Sequence, residues 1–175
     1  MATQAALMRR RTRTNIFLLA MVALLGAGVY AELRRERAIM RDPLTTIDPA
    51  TIRSLSVSCL KCTARRYEKT GAHWFMREPE AKPANDEAVA RLAAIVRAPV
   101  RYRRPASEVD PAKLGLDPAV ATLEVDGVVL KFGTTDAIRN DRYVEFGGTI
   151  ALVPDRFSAL LFATPESEVA APTEK

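Results

Sequence analysis

Cys59-x-x-Cys62 is the one pair in this chain whose residue types and spacing suggest redox chemistry. Thiol–disulfide exchange wants its first cysteine at a helix N-terminus, where the backbone dipole lowers the thiol pKa. Here Leu55, Val57 and Cys59 alternate with Ser54, Ser56 and Ser58, the period of a half-buried strand, and a charged extended run follows Cys62. A disulfide closing a tight turn is therefore the preferred reading. Positions i and i+3 of a straight strand face opposite sides, so that disulfide demands a bend. Two reduced thiols, a weak metal site and a thiol/disulfide protein using Cys59 and Cys62 remain as alternatives.

The other reactive residues assemble into nothing recognisable. His73 is the chain's single histidine, so a His-based zinc triad cannot be built, and it reads as an ordinary strand residue beside Trp74. No nucleophile-elbow signature supports a Ser/His/Asp triad. Asp136, Asp141 and Glu145 do not have calcium-loop spacing. Gly147-Gly148 reads as a hairpin turn, with no helix after it as a phosphate loop requires. No catalytic residue, metal or cofactor is expected, and the chain reads as a non-enzyme.

Two features suggest binding. Arg97, Arg101, Arg103 and Arg104, with Tyr102 among them, form the one basic cluster after residue 41. It reads as a solvated loop following a helix, compensated by Glu108 and Asp110. The alternative is contact with an anionic partner or a lipid headgroup. Trp74 reads first as core and second as part of an interaction surface together with this cluster.

The elements that must position these residues are legible in order. Asp48 caps a single turn opened by Pro49. Leu55–Cys59, Cys62–Lys69 and His73–Arg77 read as an antiparallel meander, with Thr70-Gly71-Ala72 turning the chain. Residues 78–84 form a linker, and Asn85 caps an amphipathic helix over Asp86–Arg97 that buries Val89, Leu92, Ala93 and Val96. Asp110-Pro111 opens another one-turn helix ended by Gly115, a weak echo of the turn at Asp48. Leu123–Val125 and Val128–Phe132 flank Asp126-Gly127, the pairing of a type I′ hairpin. Gly133–Asn140 reads as a polar loop. Tyr143–Phe146 and Thr149–Val153 form a second hairpin, and a last helix carries Phe157, Leu160 and Leu161. This pattern predicts an α+β fold with mainly antiparallel sheet, one amphipathic helix and short helical turns.

All of this follows Ile16–Ala31, an uncharged run behind Arg9, Arg10, Arg11 and Arg13. With its flanks, residues 16–33, it is a short but workable transmembrane helix, about 1.5 Å per residue against a hydrocarbon core of about 30 Å. A retained anchor is preferred over a signal peptide cleaved after Ala31. Four arginines hold the N-terminus in the cytoplasm. Residues 1–41 carry a net charge of +6 and leave −1 for residues 42–175 out of the chain's +5. The high pI thus belongs to the membrane-flanking segment, and a nucleic-acid partner is not expected. The expected organisation is a disordered basic tail over 1–15, the span over 16–33, a charged stalk over 34–47, a domain over 48–163 and a disordered tail over 164–175.

The words Arg77-Glu78-Pro79, Lys82-Pro83-Ala84-Asn85, Leu114-Gly115-Leu116-Asp117-Pro118, Lys131-Phe132-Gly133, Arg142-Tyr143-Val144 and Ile150-Ala151-Leu152-Val153-Pro154 follow one another over roughly residues 50–162. In that order the chain resembles the bacterial domain of unknown function 4340 family, although Cys59-Leu60-Lys61-Cys62 stands where the family often has a glycine-like turn. The resemblance implies an envelope-anchored, periplasm-facing domain associated with ABC-type transporters or gliding-motility-like systems, and no catalytic residues. The expectation is a single-pass protein of the bacterial inner membrane, its C-terminal domain periplasmic and bound to a membrane or periplasmic protein. A glycan- or lipid-binding domain with a groove near Trp74 and the arginines is the alternative.

Overall fold

The computed structural model describes residues 2–39 and 42–170. The chain divides into two compact units, Met1–Ile39 and Met40–Lys175. The first is one helix, α1 (Ala2–Ile39). Its segment Asn15–Arg34 has mean hydropathy 2.1, is not buried by the protein, and is long and apolar enough to cross a membrane. At its end the Arg34 Nε donates to the Tyr30 hydroxyl at 3.0 Å, which turns the guanidinium back along the helix. The basic tail expected to be disordered is helical from Ala2 onward. Ala, Gln, Leu, Met and Arg all favour helix, and extending an existing helix costs far less than starting one.

Among the described residues, the second unit is a nine-stranded antiparallel sheet with its α-helices on one face, an α+β fold as its sequence predicts. The strands are β1 (Ser54–Cys59), β2 (Arg65–Thr70), β3 (His73–Glu78), β4 (Lys82–Pro83), β5 (Tyr102–Pro105), β6 (Ala121–Val125), β7 (Val128–Thr135), β8 (Asp141–Phe146) and β9 (Thr149–Pro154). They lie in the order β4-β3-β2-β1-β6-β7-β8-β9-β5. Leu55, Val57, Tyr67, Trp74, Met76, Leu123, Val125, Leu130, Phe132, Val144, Ala151 and Val153 form the inner face, each at most 5% exposed. Burying a side chain of this size contributes about 1.5–3 kcal/mol. The cover is α2 (Asp86–Ala93), its 3₁₀ continuation Ala94–Arg97, and α3 (Ser158–Leu161).

Local chemistry sets the turns. Asp126 and Gly127 both take positive φ, 47° and 82°, as a type I′ turn needs. The Asp126 carboxylate also accepts the N–H groups of Arg53 and Ser54, the latter at 2.8 Å, which ties this turn to the start of β1. Asn85 caps α2 by accepting from Glu87 and Ala88. Gly133 is required for close approach: a Cβ there would lie 2.1 Å from the Leu114 carbonyl oxygen.

Several sequence expectations are corrected. The domain starts before residue 48, because the Leu44 N–H bonds to the Ala98 carbonyl at 2.8 Å, the Thr45 N–H to that of Val96 at 2.9 Å, and both side chains are buried. The linker after β3 contains β4. The helix expected over Asp86–Arg97 tightens to 3₁₀ from Ala94, and the expected loop at Arg101–Arg104 is largely edge strand β5, recruited by the open side of β9. The final tail is folded as far as Ala170: Pro165–Glu168 is a 3₁₀ turn, and the Glu168 carbonyl accepts from Asn85 while Ala170 donates to Pro83. Residues 171–175 of that tail lie outside the described residues.

Candidate functional site

The outer face of the sheet differs along its length. Over β1, β2 and β3 it carries polar groups such as Ser54, Ser56, Arg66, Glu68 and Arg77. Over β8, β9 and β5 the connection before β6 folds back across it and leaves a cleft of about 140 Å3. Val109 and Leu114 form one wall, Ile150 and Leu152 the floor, and Tyr102, Arg104 and Tyr143 the rim. Register explains the grouping: Tyr102 and Tyr143 both stand opposite Leu152, and Arg104 stands opposite Ile150.

Alternation along β5 splits the arginine cluster. The Arg103 Nε lies 3.1 Å from the Asp42 carboxylate, and its Nη2 donates to the Pro43 and Leu44 carbonyls, so this side chain fastens the entry of the chain into the domain. The Arg101 Nε sits 2.9 Å from the Oδ2 of buried Asp141, close enough for an ion pair but not aligned as a hydrogen bond. Arg104 projects outward with its guanidinium 5.1 Å from the Tyr102 ring centre, and Tyr102 is 53% exposed. Arg97 is exposed at the end of the 3₁₀ segment. Of the expected surface, Tyr102, Arg104 and Arg97 are available, whereas Arg101 and Arg103 are engaged in holding the fold.

Trp74 does not belong to that surface. It is 5% exposed within the core, with the Lys69 ammonium 5.6 Å from its ring centre. Its strand β3 lies seven positions from β5 in the sheet, so a common groove between Trp74 and the arginines is not formed.

The two cysteines are bonded to each other across the β1–β2 turn, with their Cα atoms 5.4 Å apart. The turn supplies the bend that the spacing demands, and the chain continues into β2 rather than into a helix that would activate a thiol. The Nδ1 of His73 is 2.7 Å from the Asp86 Oδ2, while the Asp86 Oδ1 accepts the Trp74 N–H at 2.6 Å. That backbone donor first, and His73 second, hold the Asp86 carboxyl below the usual carboxylate range. Among the described residues, no group of three or more His, Cys, Asp or Glu gathers as metal ligands would. The Asp136 carboxylate accepts the N–H groups of Ile138, Arg139 and Asp141, at 3.2, 3.1 and 2.7 Å.

Two buried arginines went unseen in the sequence. Arg65, at the start of β2, donates to the carbonyls of Leu160, Leu161 and Ala163 and to the Glu168 carboxylate at 2.8 Å; the Tyr67 hydroxyl donates to the same carboxylate. Burial raises the Glu168 pKa, against the opposing pull of Tyr67 and Arg65. Arg142, on β8, donates to the Gly133 carbonyl, to Asp155 at 2.8 Å and to the Ser158 hydroxyl at 2.7 Å. Internal partners take both terminal nitrogens of Arg65, whose Nε is buried without one, and all three nitrogens of Arg142, and both clusters hold the C-terminal segment. The only sequence cue was the position of each arginine where a strand would face the core.

The chain matches no protein-family model, no curated protein and no solved structure.

Proposed function

We propose that this is a single-pass, membrane-anchored accessory protein whose non-catalytic α+β domain lies on the outer side of a bacterial inner membrane. There it binds an extended segment of a membrane or envelope protein. The likeness to the domain of unknown function 4340 family points the same way, towards an assembly such as a transporter. The observation that carries the reading is the uncovered cleft beside the edge strand. Its apolar floor of Ile150 and Leu152 accepts an apolar side chain, while Tyr102 and Arg104 stand at its mouth. No ion pair among the described residues engages Arg104, so a carboxylate on the incoming segment completes the site.

The test is a photo-reactive residue at Tyr102 in the full chain, irradiated in native membranes. A discrete protein adduct that Arg104→Glu abolishes supports the reading. A membrane-inserted chain that gives no protein adduct overturns it and favours a small ligand. N-terminal sequencing of the mature protein checks the anchor: a chain beginning at Glu32 would mean that the helix is a cleaved signal.

A further inference from the structure

Five large apolar side chains are exposed among the described residues of the domain: Leu60, Tyr102, Val129, Ile138 and Phe162. Four of them lie towards one end of the sheet, where β1, β3, β7 and β9 finish and β2, β6, β8 and β5 begin: Tyr102 as the first residue of β5, and Leu60, Ile138 and Phe162 beyond the strand ends. Leu60, 62% exposed, is at the tip of the β1–β2 hairpin, and Ile138, 90% exposed, is at the tip of the β7–β8 connection. Three strand spacings, about 14 Å, separate the two tips in the sheet order. Phe162 follows α3, with the Arg142 guanidinium 5.6 Å from its ring centre, at the same end.

Each tip pairs its apolar residue with a following cation, Leu60-Lys61 and Ile138-Arg139, and Arg156 is exposed just beyond β9. None of these three cations has an ion-pair partner among the described residues. The carboxylates at this end are mostly occupied. Asp136 takes backbone N–H groups, Asp141 faces Arg101, Asp155 holds Arg142, Glu78 holds Arg66 and Glu80 holds Lys82. Asp117 and Glu166 are the exposed acids left over. Both tips are also stiffened, one by the Cys59–Cys62 bond and the other by the Asp136 carboxylate bridging its backbone. An apolar side chain on a rigid tip loses little freedom when it inserts into a surface.

The chain joins this end as well. It enters the domain at Asp42, whose carbonyl accepts the Val100 N–H at 2.8 Å immediately before β5 begins. We infer that the two tips form a contact surface for an anionic bilayer: Leu60 and Ile138 enter the interface, and Lys61, Arg139 and Arg156 meet lipid phosphates. Apolar insertion combined with attraction to anionic headgroups is the general basis of interfacial binding. The contact holds the domain in one orientation on the membrane. It rests on the reading of the N-terminal helix as an anchor.

The test uses the full chain reconstituted into vesicles that carry lipids brominated on their acyl chains. Single variants Leu60→Trp and Ile138→Trp report on the tips. Val129→Trp, on the outer face beside the Asp126-Gly127 turn at the opposite end of the sheet, is the control, and buried Trp74 gives a constant background that also reports folding. With about one third anionic phosphatidylglycerol in phosphatidylcholine, quenching at the two tips exceeds that at the control by about threefold or more. It falls to the control level in pure phosphatidylcholine and when Lys61→Glu is combined with Arg139→Glu. Equal quenching at all three positions overturns the inference, as does none at the tips. Tips shielded from aqueous quencher in native membranes but unquenched in protein-free vesicles also overturn it, in favour of a protein partner. Failure of the anchor reading is distinct, because it shows as a mature chain that begins at Glu32, whatever the quenching at the tips.

Discussion

Arg65 and Arg142 stand near the starts of β2 and β8, at the same end of one sheet, and both turn inward to bind the segment after β9. Their partners differ in sequence distance. Arg142 reaches Gly133, Asp155 and Ser158, which are 9, 13 and 16 positions away. Arg65 reaches Leu160, Leu161, Ala163 and Glu168, which are 95, 96, 98 and 103 positions away. The Arg142 cluster needs only β7, β8 and the chain just after β9. The Arg65 cluster forms only when the C-terminal segment closes onto the first meander, after a long loop has been closed. One arginine organises a corner of the second half of the sheet; the other joins the end of the domain to its beginning. Burial differs in parallel. The Arg65 side chain is 0% exposed against 10% for Arg142, while their carboxylate partners Glu168 and Asp155 are alike at 3%.

The largest effect that separates the two is substitution of Arg65. Arg65→Met leaves the Glu168 charge and three carbonyls without their donor, and costs about 3–5 kcal/mol. Urea unfolding of the full chain in detergent, followed by Trp74 fluorescence, measures it. Adding Glu168→Leu to that variant recovers much of the loss, since removing both charges removes the buried imbalance. If the double variant is as unstable as the sum of the singles, Arg65 acts through packing alone and the contrast with Arg142 collapses.

Arg142→Met is expected to cost less, about 1–3 kcal/mol by the same measurement. Asp155 keeps its own bonds to the Ser158 N–H and hydroxyl, at 3.1 and 2.6 Å, and the site lies close enough to the surface for water to replace the guanidinium. Equal losses for the two arginines would show that sequence distance does not matter here.

The smallest effects are in pH. Glu168 has a raised folded pKa, so the folded state holds its proton longer, and this contribution to stability falls as pH rises from the ordinary carboxylate range to the raised value. Asp86 has a lowered folded pKa, so its contribution is present above the ordinary range and is lost as pH falls through the folded value. Stability curves of Glu168→Gln and Asp86→Asn should therefore depart from the parent with opposite slopes in mildly acidic solution. Slopes of the same sign would mean that Glu168 stays ionised beside Arg65.

Much of the frame was legible because it is written in local chemistry. The apolar run Ile16–Ala31 reads from composition alone, and the helical segment Asn15–Arg34 contains it. The turns at Asp126-Gly127 and Gly147-Gly148 follow from residues that accept positive φ. Asp48 and Asn85 cap the elements they were expected to cap, and Asp110 caps the one-turn helix it was expected to open. The candidate site was half legible. Tyr102 and Arg104 were named in the sequence, but the cleft also needs Val109, Leu114, Tyr143 and Leu152, which strand register and a returning loop bring together.

The basic cluster shows what composition cannot state. Arg101, Arg103 and Arg104 are one residue type in one run, yet Asp141, Asp42 and the Tyr102 ring give them three different roles. The tail beyond Thr164 is polar and resembles a free end; Glu168 is buried only because Arg65 and Tyr67 wait on a strand about a hundred residues earlier. By itself, then, the sequence determined the apolar helix, the hairpins, the helix caps and the alternation that selects the inner face, all set by neighbours within a few residues. Only the tertiary structure decided which arginines are spent on the fold, where the domain starts and stops, and which loop tips share an end of the sheet. Those depend on pairings between distant segments, and no local preference encodes them.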